Sequence, residues 1–181
     1  MEYHIPVLLK EAVEHLKVKK GGKYIDCTLG DGGHTLEILK LGGEVLAIDR
    51  DIDSIKRAEE RIKTSEKVKI VNDNYKNISQ IAKSNNFYQV DGILYDLGVS
   101  TNQLKDMDRG FSFESDAPLD MRMDKTLNVT AGDLVNGLYE KELSDVIYRF
   151  GGECFANRIA RAIVKARKEN PIVSCRDLAK V

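Results

Sequence analysis

In the stretch YIDCTLGDGGHT, Tyr24–Thr35, a short apolar run passes into a glycine-rich turn, and this combination is the strongest indication of the fold. Such turns hold phosphate groups in some proteins and adenosyl groups in others, so the residues that follow must distinguish the two. Dinucleotide sites use the pattern G-x-G-x-x-G, whose third glycine lets the helix pack closely on the strand. Here Thr35 occupies that third position, so the dinucleotide fingerprint is incomplete.

Three further apolar runs in the first hundred residues predict strands, in addition to KYIDC at Lys23. They are EVLAID from Glu44, VKIVN from Val68 and GILYDL from Gly92, with helical patterns after His34, over 51–63 and near 76–84. Alternating strands and helices imply parallel strands joined by right-handed crossovers. The sequence therefore predicts an α/β fold with an open, mostly parallel sheet, in which ligands bind outside the carboxyl ends of the strands.

The pattern changes from about Leu104, where a charged segment without clear periodicity predicts a long loop. Helical patterns then resume at about 131–138, 140–149 and 153–168, and SCRD at Ser174 matches a capping box that opens another helix. We accordingly divide the chain into 1–103 and 104–181. Few residues follow that last helix start, so we expect a fragment of a longer chain, with a short final helix as the alternative.

Composition excludes several classes of protein. A net charge of −1 and a pI near 6.3 do not indicate a strongly basic nucleic-acid binder, so any basic surface must be local. Cysteines 27, 154 and 175 are odd in number and widely spaced, which fits neither a disulfide framework nor a zinc site and favours a cytoplasmic location. No run has the length of a membrane span, and no metal-ligand cluster is evident. His4 and His15 have no identifiable partner, and we interpret them as structural.

Polar residues stand at the end of each predicted strand. Asp49 closes the second run, where a carboxylate accepts ribose hydroxyls, although it could instead cap the next helix. The third run ends in NDNY, where Asp73 or Asn74 could meet an adenine edge and Tyr75 could cover its face or simply pack. Asp96 follows the fourth run. Together these strand ends favour a site for an adenosine-containing ligand, which nicotinamide cofactors and S-adenosylmethionine both satisfy.

Six long strings are spread over essentially the whole chain: HIPVLLKEAV at His4, DCTLGDGGHT at Asp26, AIDRD at Ala47, DGILYDLGVSTNQLKD at Asp91, RGFSFESDAPLDMRMD at Arg109 and ANRIARAIV at Ala156. In these strings the sequence resembles the RsmH (MraW) methyltransferases, which use S-adenosylmethionine to methylate N4 of a cytidine in the decoding region of bacterial 16S ribosomal RNA. The partner implied is 16S rRNA or the small ribosomal subunit.

The resemblance also implies a fold and a set of site residues. The fold is a class I (Rossmann-like) methyltransferase with a mostly helical insertion, followed by C-terminal strands that this sequence lacks. A sheet edge left exposed in that way would permit a homodimer. The residues that the resemblance assigns to the S-adenosylmethionine pocket are Gly32, Gly33, His34, Asp49, Tyr75, Asp96 and Gln103. For His34 a backbone contact is the expected contribution.

Asp96 is the candidate catalytic residue, because an acceptor near the exocyclic amine would orient a weakly nucleophilic nitrogen. It could instead bind only the methionine part of the cofactor. Many amino-group methyltransferases carry two prolines and an aromatic residue after this acid, and here Leu97, Gly98 and Val99 stand there. Phe111 and Phe113 on the next loop are the candidates for stacking on the base, unless they anchor that loop in the core.

Segment 153–168 is the candidate RNA-binding surface, with five basic residues against Glu153, which is a net charge of 5 − 1 = +4. On a helix Arg158, Arg161, Lys165 and Lys168 share one side, and Phe155, Ile159, Ala162, Ile163 and Ala166 form an apolar side. Such a stripe could also be an ordinary solvated face. Two other functions stay open: a nicotinamide-dependent oxidoreductase, and a binding module without turnover.

Overall fold

The computed structural model describes residues 6–63 and 65–181. Its contacts divide the chain into two compact units, Met1–Ser100 and Thr101–Val181. His4 lies outside the described residues. Within the described ranges no helix combines the length and the apolar character that crossing a membrane requires.

The first unit is a four-stranded parallel sheet with helices, which confirms the predicted α/β fold. Its strands are β1 (Lys23–Asp26), β2 (Glu44–Asp49), β3 (Val68–Asn72) and β4 (Gly92–Leu94), and its helices are α1 (Leu9–His15), α2 (Gly33–Lys40), α3 (Ile52–Ile62) and α4 (Ile78–Ser84), the last preceded by a 3-10 turn at Tyr75–Asn77. The strand order is β3-β2-β1-β4, and every pairing is parallel. All four carboxyl ends therefore lie along one edge of the sheet.

The sheet is buried on both faces, as the continuous apolar run of β2 predicts. Val45 and Ala47 pack on one side with Tyr24, Ile38 and Ala58, whereas Leu46 and Ile48 pack on the other with Ile25, Cys27 and Phe87. Helix α3 contributes Ile55, Ala58 and Ile62 to the first side. Its first residue, Ile52, is 40% exposed.

The second unit is helical, with α5 (Thr101–Lys105), α6 (Ala131–Gly137), α7 (Glu140–Gly151), α8 (Ala156–Glu169) and α9 (Cys175–Ala179). The Ser174 half of the predicted capping box forms, since the Asp177 amide donates to the Ser174 hydroxyl at 3.1 Å. The prediction of which α8 residues form its apolar side is partly wrong. Phe155 and Ile159 are exposed, and Ala156, Ala160 and Ile163 are buried, because the side that α7 contacts decides which residues α8 buries.

The segment 106–130 contains no helix or strand, as predicted, and polar anchors hold it in place. Arg109 is buried, and its guanidinium donates to the carbonyl oxygens of Arg122 and Met123 at 2.9 and 3.3 Å. Asp120 accepts two hydrogen bonds from the Arg122 guanidinium, at 2.6 and 2.8 Å. This part of the RGFSFESDAPLDMRMD string therefore has a structural role in the second unit.

Candidate functional site

The glycine turn between β1 and α2 is shaped by close contacts with its neighbours. Gly32 has φ +75°, and a Cβ there would lie 2.8 Å from the Ile62 side chain. A Cβ on Gly33 would lie 2.5 Å from the Pro6 ring. Gly33 thus permits the Pro6 ring to approach the start of α2. Thr35 is fully buried, and its hydroxyl donates to Asp26 Oδ2 at 2.7 Å.

An ion pair from α3 holds the outer side of this turn. The Arg57 Nε donates to Asp31 Oδ1 at 2.8 Å, and the Asp31 side chain is only 2% exposed. A second guanidinium nitrogen of Arg57 donates to the Ser54 hydroxyl at 2.9 Å, and Arg61 donates to the Asp31 carbonyl oxygen at 3.2 Å. The second carboxylate of the YIDCTLGDGGHT stretch is therefore a structural anchor.

The start of α2 presents polar groups that no described residue pairs with. No side chain caps the helix at Gly32. His34 is buried, and its Nε2 has no hydrogen-bond partner among the residues that the structure describes. Buried polar atoms are nearly always paired, so an unpaired one at a helix start indicates a place where a polar ligand binds.

Asp49 lies beside the turn and is bound to it. Its two carboxylate oxygens accept from the backbone N–H of Gly30 at 2.8 Å and of Asp51 at 2.9 Å. Burial raises the pKa of Asp49, and these two hydrogen bonds oppose the rise. The alternative role as a helix cap is wrong, because Asp51 caps α3 by accepting from the Asp53 amide at 3.1 Å. Each oxygen of Asp49 keeps a lone pair that a ribose hydroxyl could use.

Asp26 is a buried acid that the sequence reasoning missed. It closes β1 and accepts from the Thr35 hydroxyl at 2.7 Å and from the Thr28 amide at 3.1 Å. Burial raises the pKa of Asp26 above the ordinary range, and the Thr35 hydrogen bond opposes the rise. The signal was available, since an acid within an apolar strand needs a partner when it is buried.

The end of β3 holds its polar residues in a tight turn. Asp73 Oδ1 accepts from the Asn74 amide at 2.6 Å and from the Asn77 side chain at 2.9 Å, and Asn74 accepts from the Lys76 amide at 3.0 Å. Tyr75 follows and is half-buried. Its ring meets that of Tyr95 edge to face, with centroids 5.6 Å apart.

Tyr95 and Asp96 tie the end of β4 to the end of β1. The Asp96 amide donates to the Thr28 hydroxyl at 2.7 Å, while the Asp96 side chain is exposed. A hydrogen bond with Cys27 raises the pKa of Tyr95, and burial raises the pKa of the Cys27 thiol. Sequence reasoning missed Tyr95, although an aromatic residue directly before the candidate catalytic acid was a signal.

The structure therefore places most of the expected pocket residues along one edge of the sheet: Gly32, Gly33 and His34 after β1, Asp49 at the end of β2, Tyr75 after β3 and Asp96 after β4. Within the described residues no group of three or more His, Cys, Asp or Glu side chains is arranged to hold a metal ion. The edge offers acceptors, an aromatic pair and an uncapped helix start.

The remaining predicted residues belong to the second unit. Gln103 is buried in α5. Phe111 is half-buried with the Arg109 guanidinium 5.7 Å from its ring centroid, and Phe113 is 73% exposed, so Phe113 is no core anchor. Arg158, Arg161 and Lys165 are all exposed on α8.

Comparison with known proteins gives one consistent result. The sequence model of the MraW methylase family matches residues 1–181. Proteins named ribosomal RNA small subunit methyltransferase H from Clostridium botulinum (strain Kyoto / Type A2), Halothermothrix orenii and Thermosipho africanus are 46%, 46% and 47% identical to this chain over 100%, 93% and 92% of its length. The chain spans 60%, 55% and 58% of those relatives.

A solved structure of an rRNA methylase from Streptococcus thermophilus also aligns in part. It covers 39% of this chain and 45% of the other, with 19% identity and a TM-score of 0.36.

Proposed function

Because this chain belongs to the MraW methylase family, we propose that it transfers a methyl group from S-adenosylmethionine to N4 of a cytidine in the decoding region of 16S ribosomal RNA. The relatives are named small-subunit rRNA methyltransferases, and that activity supplies the substrate class of the proposal. The observation that carries the cofactor is the buried His34 Nε2 at the uncapped start of α2, which has no hydrogen-bond partner among the described residues.

The residues along this edge fit S-adenosylmethionine. Asp49 is the acceptor for the ribose hydroxyls, because both of its oxygens are oriented by backbone N–H groups. The uncapped N–H groups after Gly32 suit the carboxylate of the methionine part, and His34 Nε2 is a further polar contact. Tyr75, held against Tyr95, covers the adenine. Gln103 stays a prediction that rests on the resemblance.

When bound, S-adenosylmethionine supplies a methyl group on a sulfonium, which is already electrophilic. The protein must then deliver a poor nucleophile in line with that methyl. Such positioning can lower the barrier by several kcal/mol, with an upper limit of about 7–11 kcal/mol. Asp96 is the residue for this task. Its backbone is held by the Thr28 hydroxyl while its carboxylate stays exposed, so it can accept a hydrogen bond from the cytosine amine and afterwards take up the proton that N4 releases.

The basic side of α8 is the proposed phosphate contact. Arg158, Arg161 and Lys165 are exposed, and the ion pair of Arg161 with Glu140 at 3.6 Å joins two exposed side chains and is weak. Arg167 is different, because it donates to the carbonyl oxygens of Val135 and Leu138 at 2.6 Å each. Phe113 is available to stack on a base, and Phe111 is the less exposed alternative. A cytoplasmic location, where ribosomal RNA is found, is part of the proposal.

The test begins with calorimetric titration of the 181-residue chain with S-adenosylmethionine, with NAD as the control ligand. Selective binding of S-adenosylmethionine supports the proposal, and selective binding of NAD refutes it. Methyl transfer into small-subunit RNA is then measured with a labelled donor, followed by nucleoside analysis for N4-methylcytidine. Asp96→Ala should retain cofactor binding and lose methylation. Binding without any transfer by the unaltered chain would favour a binding module instead.

A further inference from the structure

The corner of the α7–α8 hairpin exposes three aromatic rings, Tyr148, Phe150 and Phe155, which we call the aromatic turn. Their exposed fractions are 62%, 86% and 65%. Scattered exposed apolar residues are normal, whereas several large rings at one corner mark an interaction surface. We propose that the aromatic turn docks unpaired bases of single-stranded RNA by stacking. The proposal rests on the function proposed above and adds base contacts to its phosphate contacts.

The scaffold beneath the rings is well defined. Leu143 of α7 packs in one core with Ala160 and Ile163 of α8, and the Ser144 hydroxyl donates to the Asn157 side-chain oxygen at 2.8 Å. At the corner Gly152 adopts φ +67° and its amide donates to the Tyr148 carbonyl oxygen at 2.9 Å. A ring presented on such a scaffold loses little further backbone freedom when a base stacks on it.

The same corner carries positive charge. Arg149 and Arg158 are exposed, and the Arg158 guanidinium lies 5.7 Å from the centroid of the Phe155 ring. The one acid between residues 148 and 158 is Glu153, so the local balance is 2 − 1 = +1. The Glu153 carboxylate already accepts from the Phe155 amide at 2.7 Å.

This combination distinguishes RNA from a protein partner. A protein segment that covered the rings would also have to bury the neighbouring arginines, which costs free energy unless each finds an acid. Single-stranded RNA supplies a flat base for each ring and a phosphate for each guanidinium. The aromatic turn therefore offers rings for bases and guanidinium groups for phosphates.

The experiment compares two fluorescein-labelled RNAs of about 12 nucleotides. One is an unstructured sequence, and the other has the same phosphates with abasic riboses in place of nucleosides. The test variant carries Phe150→Leu and Phe155→Leu, which remove the rings from exposed positions and leave the core intact. The control is Tyr139→Leu, at a ring that is 77% exposed at the opposite end of α7.

We expect the unaltered chain to bind the intact RNA about tenfold or more tightly than the abasic RNA, as stacking on one base predicts. The double variant should lose that preference and keep its affinity for the abasic RNA, and Tyr139→Leu should behave as the unaltered chain. Equal binding of both RNAs by the unaltered chain, or an unchanged preference in the double variant, would overturn the inference. So would sedimentation that shows a dimer which the double variant dissociates. Cofactor titration and methyl transfer on the same samples test the proposed function separately.

Discussion

Replacing Arg57 by Met should loosen the glycine turn, because it removes the Arg57 guanidinium from the buried Asp31 carboxylate. The two side chains are 27% and 2% exposed, and the joining hydrogen bond is 2.8 Å long. Breaking a buried pair by removing one partner costs roughly 3–5 kcal/mol. The partial exposure of Arg57 lets water replace some of the lost contact, so we expect the free energy of unfolding to fall by about 2–3 kcal/mol.

Urea unfolding followed by circular dichroism measures this change. The matched control is Lys40→Met, which breaks an exposed ion pair with Glu37 whose side chains are 60% and 34% exposed. That surface pair should contribute at most about 0.5 kcal/mol. A double-mutant cycle with Asp31→Asn isolates the pair, and its coupling energy should exceed about 1 kcal/mol.

Two results would refute the reasoning. An Arg57→Met chain as stable as the Lys40→Met chain would show that the buried Asp31 carboxylate does not need Arg57. A coupling energy near zero in the cycle with Asp31→Asn would show that the two side chains act independently. If the reasoning holds, the affinity for S-adenosylmethionine should also fall in Arg57→Met, because the loosened turn carries the proposed pocket.

Three further outcomes are expected. Gly33→Ala should cost about 1–3 kcal/mol of stability in urea, because the new Cβ would lie 2.5 Å from the Pro6 ring, whereas Gly137→Ala, with nothing within 4 Å, should be nearly neutral. The raised pKa of Asp26 means that its stabilising contribution is present at low pH and is lost as pH rises through the folded-state pKa. In thermal melts, the melting temperature of Asp26→Asn relative to that of the unaltered chain should therefore be higher at neutral pH than at pH 4. Arg109→Met should cost about 1–3 kcal/mol and speed hydrogen exchange in 106–130, because two carbonyl oxygens lose their donor.

The parts of the site that could be predicted are those with a local cause. Apolar runs of the right length marked all four strands, and the residues that end them lie at one edge because parallel strands share a direction. Asp49 and Asp96 were therefore placed correctly at strand ends, although their roles remain proposals. Asp26 and Tyr95 were missed because their importance comes from contacts with Thr35 and Cys27 across the site.

In the second unit the positions of the helices were predicted well, but the residues that they bury were not. The helical patterns located α6, α7 and α8 closely, because a period of 3.6 residues is a property of each segment alone. The same pattern assigned Phe155 and Ile159 to the buried side of α8, and both are exposed. Periodicity shows that a helix has an apolar side. Which residues of that side are buried depends on where the neighbouring helix packs.

The sequence was sufficient to predict the four parallel strands, the glycine turn and the family of this chain. Apolar runs, turn residues and long matching strings are all features of contiguous stretches of sequence. Packing was needed to bring Arg57 to Asp31 and the Gly30 amide to Asp49, and to leave His34 Nε2 without a hydrogen-bond partner among the described residues. The first two contacts join groups from different segments at hydrogen-bond distance. Such distances are set only when the sheet and helices have packed.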